Sequence, residues 1–263
     1  NAFLIALIVS IPSALLSCFL VMKGWALMGD AISHAVLPGI VFAYIIGAPL
    51  ILGAFVAGIG CSLATGYLSN NCRVKQDSIM GVVFSGMFGL GIVLYVSVET
   101  NAHLDHILFG NILGVEQHEL WTTGIISFGV SIVLILKWKD WLLHSFDPVQ
   151  ARTSGLNVNL LHFGMLTALS LTIIAILSAA GLILAIGLVI APGATAFLLV
   201  RKFSMMLCLS TVICIFSMMF GTYISLFLDS APAPTIVLVM TIIFLAALVK
   251  KQYMVSFNST FQQ

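Results

Sequence analysis

Residues 25–39 read WALMGDAISHAVLPG. The stretch is apolar except for one carboxylate, Asp30, and one imidazole, His34. The two are four residues apart, so on a helix they share one face. Lys23, just upstream, marks a membrane border. Eleven residues at ~1.5 Å rise put His34 about 16 Å past that border, near the middle of a ~30 Å hydrocarbon core. Asp30 lies about one turn nearer the border. A carboxylate there costs roughly 2.5–3.5 kcal/mol on insertion scales, and such residues usually mark a pathway. Pro38 cannot donate a backbone bond and crowds the preceding turn, so a kink is expected at Pro38 and Gly39.

The rest of the chain makes a membrane setting for this stretch. Of 263 residues, 61% are hydrophobic and only 7% are charged. Ordinary soluble domains are roughly 45–50% apolar and about 25% charged. This excludes a soluble globular enzyme, a disordered chain and a nucleic-acid binder. Ten Lys and Arg against nine Asp and Glu leave no basic surface for a phosphate backbone. The five cysteines, Cys18, Cys61, Cys72, Cys208 and Cys214, form no CxxC, so neither a zinc knuckle nor a disulfide framework is indicated. The first residue is Asn rather than Met, so the native N-terminus is expected to precede it.

Apolar runs predict nine spans, near 1–22, 25–46, 50–69, 78–98, 120–136, 158–178, 181–200, 204–228 and 233–249. The fifth and ninth are short, and a re-entrant segment would leave eight. The expected fold is an all-α polytopic membrane protein of eight to nine transmembrane helices. It forms one domain over 1–263, with a tail at 250–263. Under the nine-span count all ten basic residues fall on one side, from Lys23 through Arg73, Lys75, Lys137, Lys139, Arg152, Arg201 and Lys202 to Lys250 and Lys251. That side is cytoplasmic by the positive-inside rule, so the C-terminus is expected there.

Oxygen and imidazole nitrogen together suit a borderline divalent ion such as manganese, iron or zinc. The residues alone also allow a proton relay, or an Asp–His bond that merely holds helices together. Two ligands are too few for a tight site. Ser33, backbone carbonyls, water or a second copy of the helix would complete it; two copies about a two-fold axis would supply four ligands. On the opposite side, residues 99–119 hold Glu99, His103, Asp105, His106, Glu116, His118 and Glu119, which read as a cation entry funnel or as a solvated loop. Small residues four apart, Gly81, Ser85 and Gly89, then Ala54 and Gly58, and Gly60 and Ala64, suit close helix contact, static or moving.

Residues 137–157, KWKDWLLHSFDPVQARTSGLN, form the longest loop on the basic side. Asp147 is a candidate N-cap, Pro148 a first helical position and Gly155 a stop, which predicts a short helix over 148–154. It reads either as a docking knob or as a membrane-surface linker. The chain has no GxxxxGK[ST], HExxH or GxSxG, so no P-loop, metalloprotease or lipase chemistry is supported.

MGDAISHAVLPG at 28–39 resembles the signature of permease subunits of ABC importers for manganese, zinc and chelated iron. The likeness continues through DSIMGVVFSGMFGLGIVL at 77–94, LFGNILGV at 108–115, FDPVQARTSGLNV at 146–158, GLVIAPGATAFLLV at 187–200 and APAPTIVLV at 231–239. APGATA and LPG are more similar to the manganese/iron branch. The resemblance implies a bacterial inner-membrane permease with a fold similar to the vitamin B12-type importers. It implies a second permease subunit (same or related), two cytoplasmic ABC ATPase subunits and an extracytoplasmic metal-binding protein as partners, within membrane lipid and without nucleic acid. Asp30 and His34 would ligate the transported Mn2+ or Fe2+, or Zn2+ as the alternative, with no permanently bound cofactor. Residues 146–156, with Asp147, Pro148, Ala151, Arg152 and Gly155, would be the coupling helix to an ATPase. The chain itself would not be an enzyme. A proton-coupled secondary metal transporter is the rival reading.

Overall fold

The computed structural model describes the backbone of residues 2–74, 76–97, 114 and 117–260. These residues form α1 (Ala2–Lys23), α2 (Ala26–Ala35), α3 (Leu37–Ile46), α4 (Leu50–Asn71), α5 (Gln76–Ser97), α6 (Gln117–Phe146), α7 (Pro148–Thr153), α8 (Val158–Ala180), α9 (Leu182–Leu199), α10 (Phe203–Leu228) and α11 (Pro232–Thr260). Helices satisfy their own backbone polar groups, which lipid cannot do. Among the described residues nine segments are long and apolar enough to cross a membrane, with α2 and α3 counting as one.

The helix α1 is the axle. Every residue from Pro12 to Leu20 is buried, so this stretch is covered on all sides. It packs against α6, α8, α9 and α10, and α9 in turn meets α2, α8, α10 and α11. Hydroxyls tie these inner helices together. The Gly193 N–H donates to Ser17 Oγ, and Ser210 Oγ donates to the Ala14 carbonyl at 3.0 Å. Ser62 and Ser170 share a hydrogen bond of 2.6 Å between α4 and α8. Interhelical bonds of this kind are worth about 0.6 kcal/mol on average, so close packing supplies most of the hold. The α2–α3 pair lies to one side, enclosed by α4, α5, α8 and α9. The outermost element there is α5, with 17% of its span buried.

Two expectations change. The fifth span does not stop near residue 136; α6 runs for 30 residues to Phe146. KWKDWLLHSF is therefore helix rather than loop. The run is amphipathic: Trp141 and His144 are buried three apart, while Lys137 and Asp140 pair on the open side at 3.4 Å. The last helix likewise continues past Lys251 to Thr260, where a tail is expected from sequence. The kink expected at Pro38 is an interruption at the single residue Val36, which keeps helical angles (φ −70°, ψ −26°), so α2 and α3 still form one span.

Candidate functional site

The site is built on α2. Gly24, at φ 72°, turns the chain from α1 into α2, a left-handed conformation that favours glycine. Trp25 then donates its N–H to the Leu20 carbonyl at 2.8 Å. One stripe of α2 carries Leu27, Asp30 and His34. Leu27 is exposed, and the Asp30 and His34 side chains are partly exposed, at 34% and 20%. The pair thus sits at an edge of the bundle rather than in its centre.

His34 Nε2 lies 3.3 Å from Asp30 Oδ1. The ring is held on its other sides by α5, with Phe84 and Phe88 at 5.1 and 5.0 Å between centroids. His34 Nδ1 is buried and has no hydrogen-bond partner. If Nε2–H donates to the carboxylate, Nδ1 carries a bare lone pair. That arrangement, an imidazole oriented by a carboxylate with its second nitrogen free, is the usual setting of a metal-ligating histidine.

Pro38 follows at once. It withholds the N–H that would reach the His34 carbonyl, and the turn at Val36 closes on the Ile32 and His34 carbonyls instead. Gly91 of α5 crosses directly over Pro38, where an added Cβ would lie 3.0 Å from the proline Cδ. Gly39 meets Gly53 of α4 so closely that a Cβ on either would land on the other's carbonyl. The break is therefore clamped by two neighbouring helices.

Ser33 is buried and donates to the Gly29 carbonyl at 2.7 Å. It has no described contact with the Asp30–His34 pair. Among the described residues no group of three or more His, Cys, Asp or Glu side chains could hold a metal. Glu99, His103, Asp105, His106 and Glu116 lie outside the described residues. His118 and Glu119 stand in the first turn of α6, His118 exposed.

At the other border α7 forms as the spacing predicts. Asp147 Oδ1 accepts the N–H groups of Val149 and Gln150 at 2.9 and 3.0 Å. Pro148 opens the helix, Ala151 is fully buried, Arg152 is exposed in the last turn and Gly155 ends it at φ 80°. One cluster was not legible in advance. Lys23 Nζ donates to His144 Nε2 at 3.0 Å and stands 3.8 Å over the Trp25 ring, while His162 packs edge-on against Trp25. It links the ends of α1, α6 and α8 to the start of α2. The contact joins positions 121 residues apart, and no local spacing announces it.

Among the small residues, Gly58 packs near Val36 and Ile174, but Gly60, Gly81 and Gly89 meet nothing within 4 Å. Ser85 is exposed and bonds only back to its own helix. The α5 stripe is thus an open face of this chain.

Residues 1–251 match the ABC 3 transport family. The chain is 50% identical over 249 residues to the chelated iron transport system membrane protein YfeD of Yersinia pestis, covering 95% of this chain and 84% of that protein. It is 42% identical over 249 residues to the manganese transport system membrane protein MntB of Synechocystis, covering 95% and 81%. PsaBC from Streptococcus pneumoniae, solved in complex with Fab, superposes with a TM-score of 0.84 at 32% identity, covering 94% of this chain and 89% of that one. An inward-facing metal-chelate type ABC transporter shares the fold at a TM-score of 0.72 and 17% identity, covering 96% and 84%. With nine apolar spans, a broken second span and this likeness along nearly its whole length, the chain belongs to the ABC 3 transport family of multi-pass membrane permeases.

Proposed function

We propose that this chain is the membrane-spanning subunit of an ATP-driven importer for a divalent transition metal, manganese or ferrous iron. The names of its relatives support that cargo. The observation that carries the site is a carboxylate and an imidazole 3.3 Å apart on one helix face, with His34 Nδ1 left without a partner. A buried bare nitrogen in lipid is costly unless it finds a partner. A passing cation supplies one.

Two ligands do not make a complete site, so a second copy or a related chain completes it. The open stripe of Gly81, Ser85 and Gly89 on α5 lies on the helix that holds His34, and small residues suit close helix approach. Pairing there would bring a second Asp30 and His34 within reach of the same ion.

ATP would be hydrolysed by separate cytoplasmic subunits that grip α7. The positive-inside rule supports this orientation, with the C-terminus inside a bacterial inner membrane. The cycle is alternating access. An external binding protein delivers the ion to Asp30 and His34. Movement of α7, at the junction of α6 and α8, then opens the site inward. The Lys23–His144–Trp25–His162 cluster joins those helix ends to α2.

The test is radiolabelled Mn2+ uptake by proteoliposomes holding the full transporter, with Fe2+ and Zn2+ as competitors. Asp30→Asn and His34→Ala should each lower ATP-dependent uptake by about 10–100-fold or more while assembly stays normal. Unchanged uptake in both variants would make the pair structural. Uptake without ATPase subunits that collapses with an uncoupler would make the chain a secondary transporter.

A further inference from the structure

At the border that carries Lys23, a cavity of about 320 Å³ opens between α1, α6, α9, α10 and α11. Phe146, Phe197 and Phe203 give it aromatic walls, and Arg201 and Lys251 stand at it as two cations. Both cations are exposed, and neither belongs to an ion pair among the described residues. Asp147, next in sequence to Phe146 of the cavity wall, is engaged in capping α7.

Val200 also lines a second hollow, of about 550 Å³. That hollow follows α10 past Ser204, Cys208 and Val212, which are four residues apart and lie on one face. It extends about 12 Å along the helix, away from the cationic mouth and into the apolar depth. Its lining is almost wholly apolar, and Val212 is 63% exposed.

We infer that the two hollows together bind an anionic phospholipid. The phosphate diester lies between Arg201 and Lys251, and an acyl chain lies along α10. A guanidinium suits a phosphate through paired N–H donors, and the ammonium adds a point charge. Basic pockets between helices at a membrane border favour anionic headgroups. A soluble partner could meet the cations but could not fill the part of the hollow at membrane depth. The site is independent of the proposed cargo and of the Asp30–His34 pair.

The experiment is native mass spectrometry of the full transporter, delipidated and then titrated with phosphatidylglycerol or phosphatidylethanolamine. Wild type should hold phosphatidylglycerol about tenfold more tightly. Arg201→Gln with Lys251→Gln should abolish that preference, while Lys202→Gln, outside the cavity, should keep it. Cys208→Trp should weaken phosphatidylglycerol by blocking the chain. Inorganic phosphate should fail to displace the lipid. Three results would overturn the assignment: equal binding of the two lipids by wild type, an unchanged preference in the double variant, or displacement by phosphate alone. Exclusion of lipid once the ATPase subunits are bound would give the surface to that partner and overturn it as well.

Discussion

Pro38–Gly39 and Pro192–Gly193 are the same dipeptide put to opposite uses. In both, the glycine marks a tight helix crossing. Gly39 lies against Gly53 of α4, and Gly193 lies against Ser17 of α1. Yet α9 runs unbroken through Pro192, while the helix around Pro38 is interrupted at Val36. The neighbours differ at the two prolines. Beside Pro192, α1 presents a hydroxyl: Gly193 N–H donates to Ser17 Oγ, which also reaches the Ile190 carbonyl at 3.5 Å. Beside Pro38 stand Gly91 and Gly53, which offer no side-chain donor. One pair welds the centre of the bundle. The other marks an interruption at an edge, next to the two ionisable groups.

The comparison can be broken first at its rigid half. A Cβ at Gly193 would meet the Ser17 backbone, which cannot swing aside as a side-chain tip could. Gly193→Leu should therefore prevent accumulation of folded protein, at or beyond the upper end of the ~1–3 kcal/mol range for overpacking. Gly89→Leu, on the open α5 stripe, should leave the fold intact and disturb only subunit pairing. Membrane-fraction yield and size-exclusion profiles would separate the two, and equal losses would contradict the distinction.

The loose half is sharpened by Pro38→Ala. The substitution supplies an N–H that can bond the His34 carbonyl, so closing the interruption should raise thermal stability. It should also slow metal uptake several-fold by stiffening the span around His34. Greater stability with full uptake would show that the break has no part in movement.

The smallest effect belongs to α7. Asp147→Ala removes an N-cap worth about 0.5–2 kcal/mol, on a helix of only 6 residues. Metal transported per ATP hydrolysed should fall, while Mn2+ binding at the permease stays unchanged. A change in binding with coupling intact would sever α7 from the energy-transfer role.

Much of this was legible in the sequence because membrane helices announce themselves by composition. The Asp30–His34 face follows from a spacing of four, and the Asp147 cap follows from local backbone chemistry. The reading failed where tertiary contact decides. KWKDWLLHSF looks like a polar loop until Trp141 and His144 find a buried face against α8 and Lys23. Ser33 shares the stretch with His34 but turns inward to bond Gly29. The difference between the two prolines was equally hidden, since Ser17 lies 176 residues from Gly193.

The central claim is that a passing ion meets His34. The most direct measurement is pulsed electron paramagnetic resonance of Mn2+ bound to the full transporter, read for coupling to imidazole nitrogen. The account predicts a nitrogen coupling that disappears in His34→Ala and changes in Asp30→Asn. A coupling that persists unaltered in His34→Ala would contradict it and move the pathway to another face of the bundle.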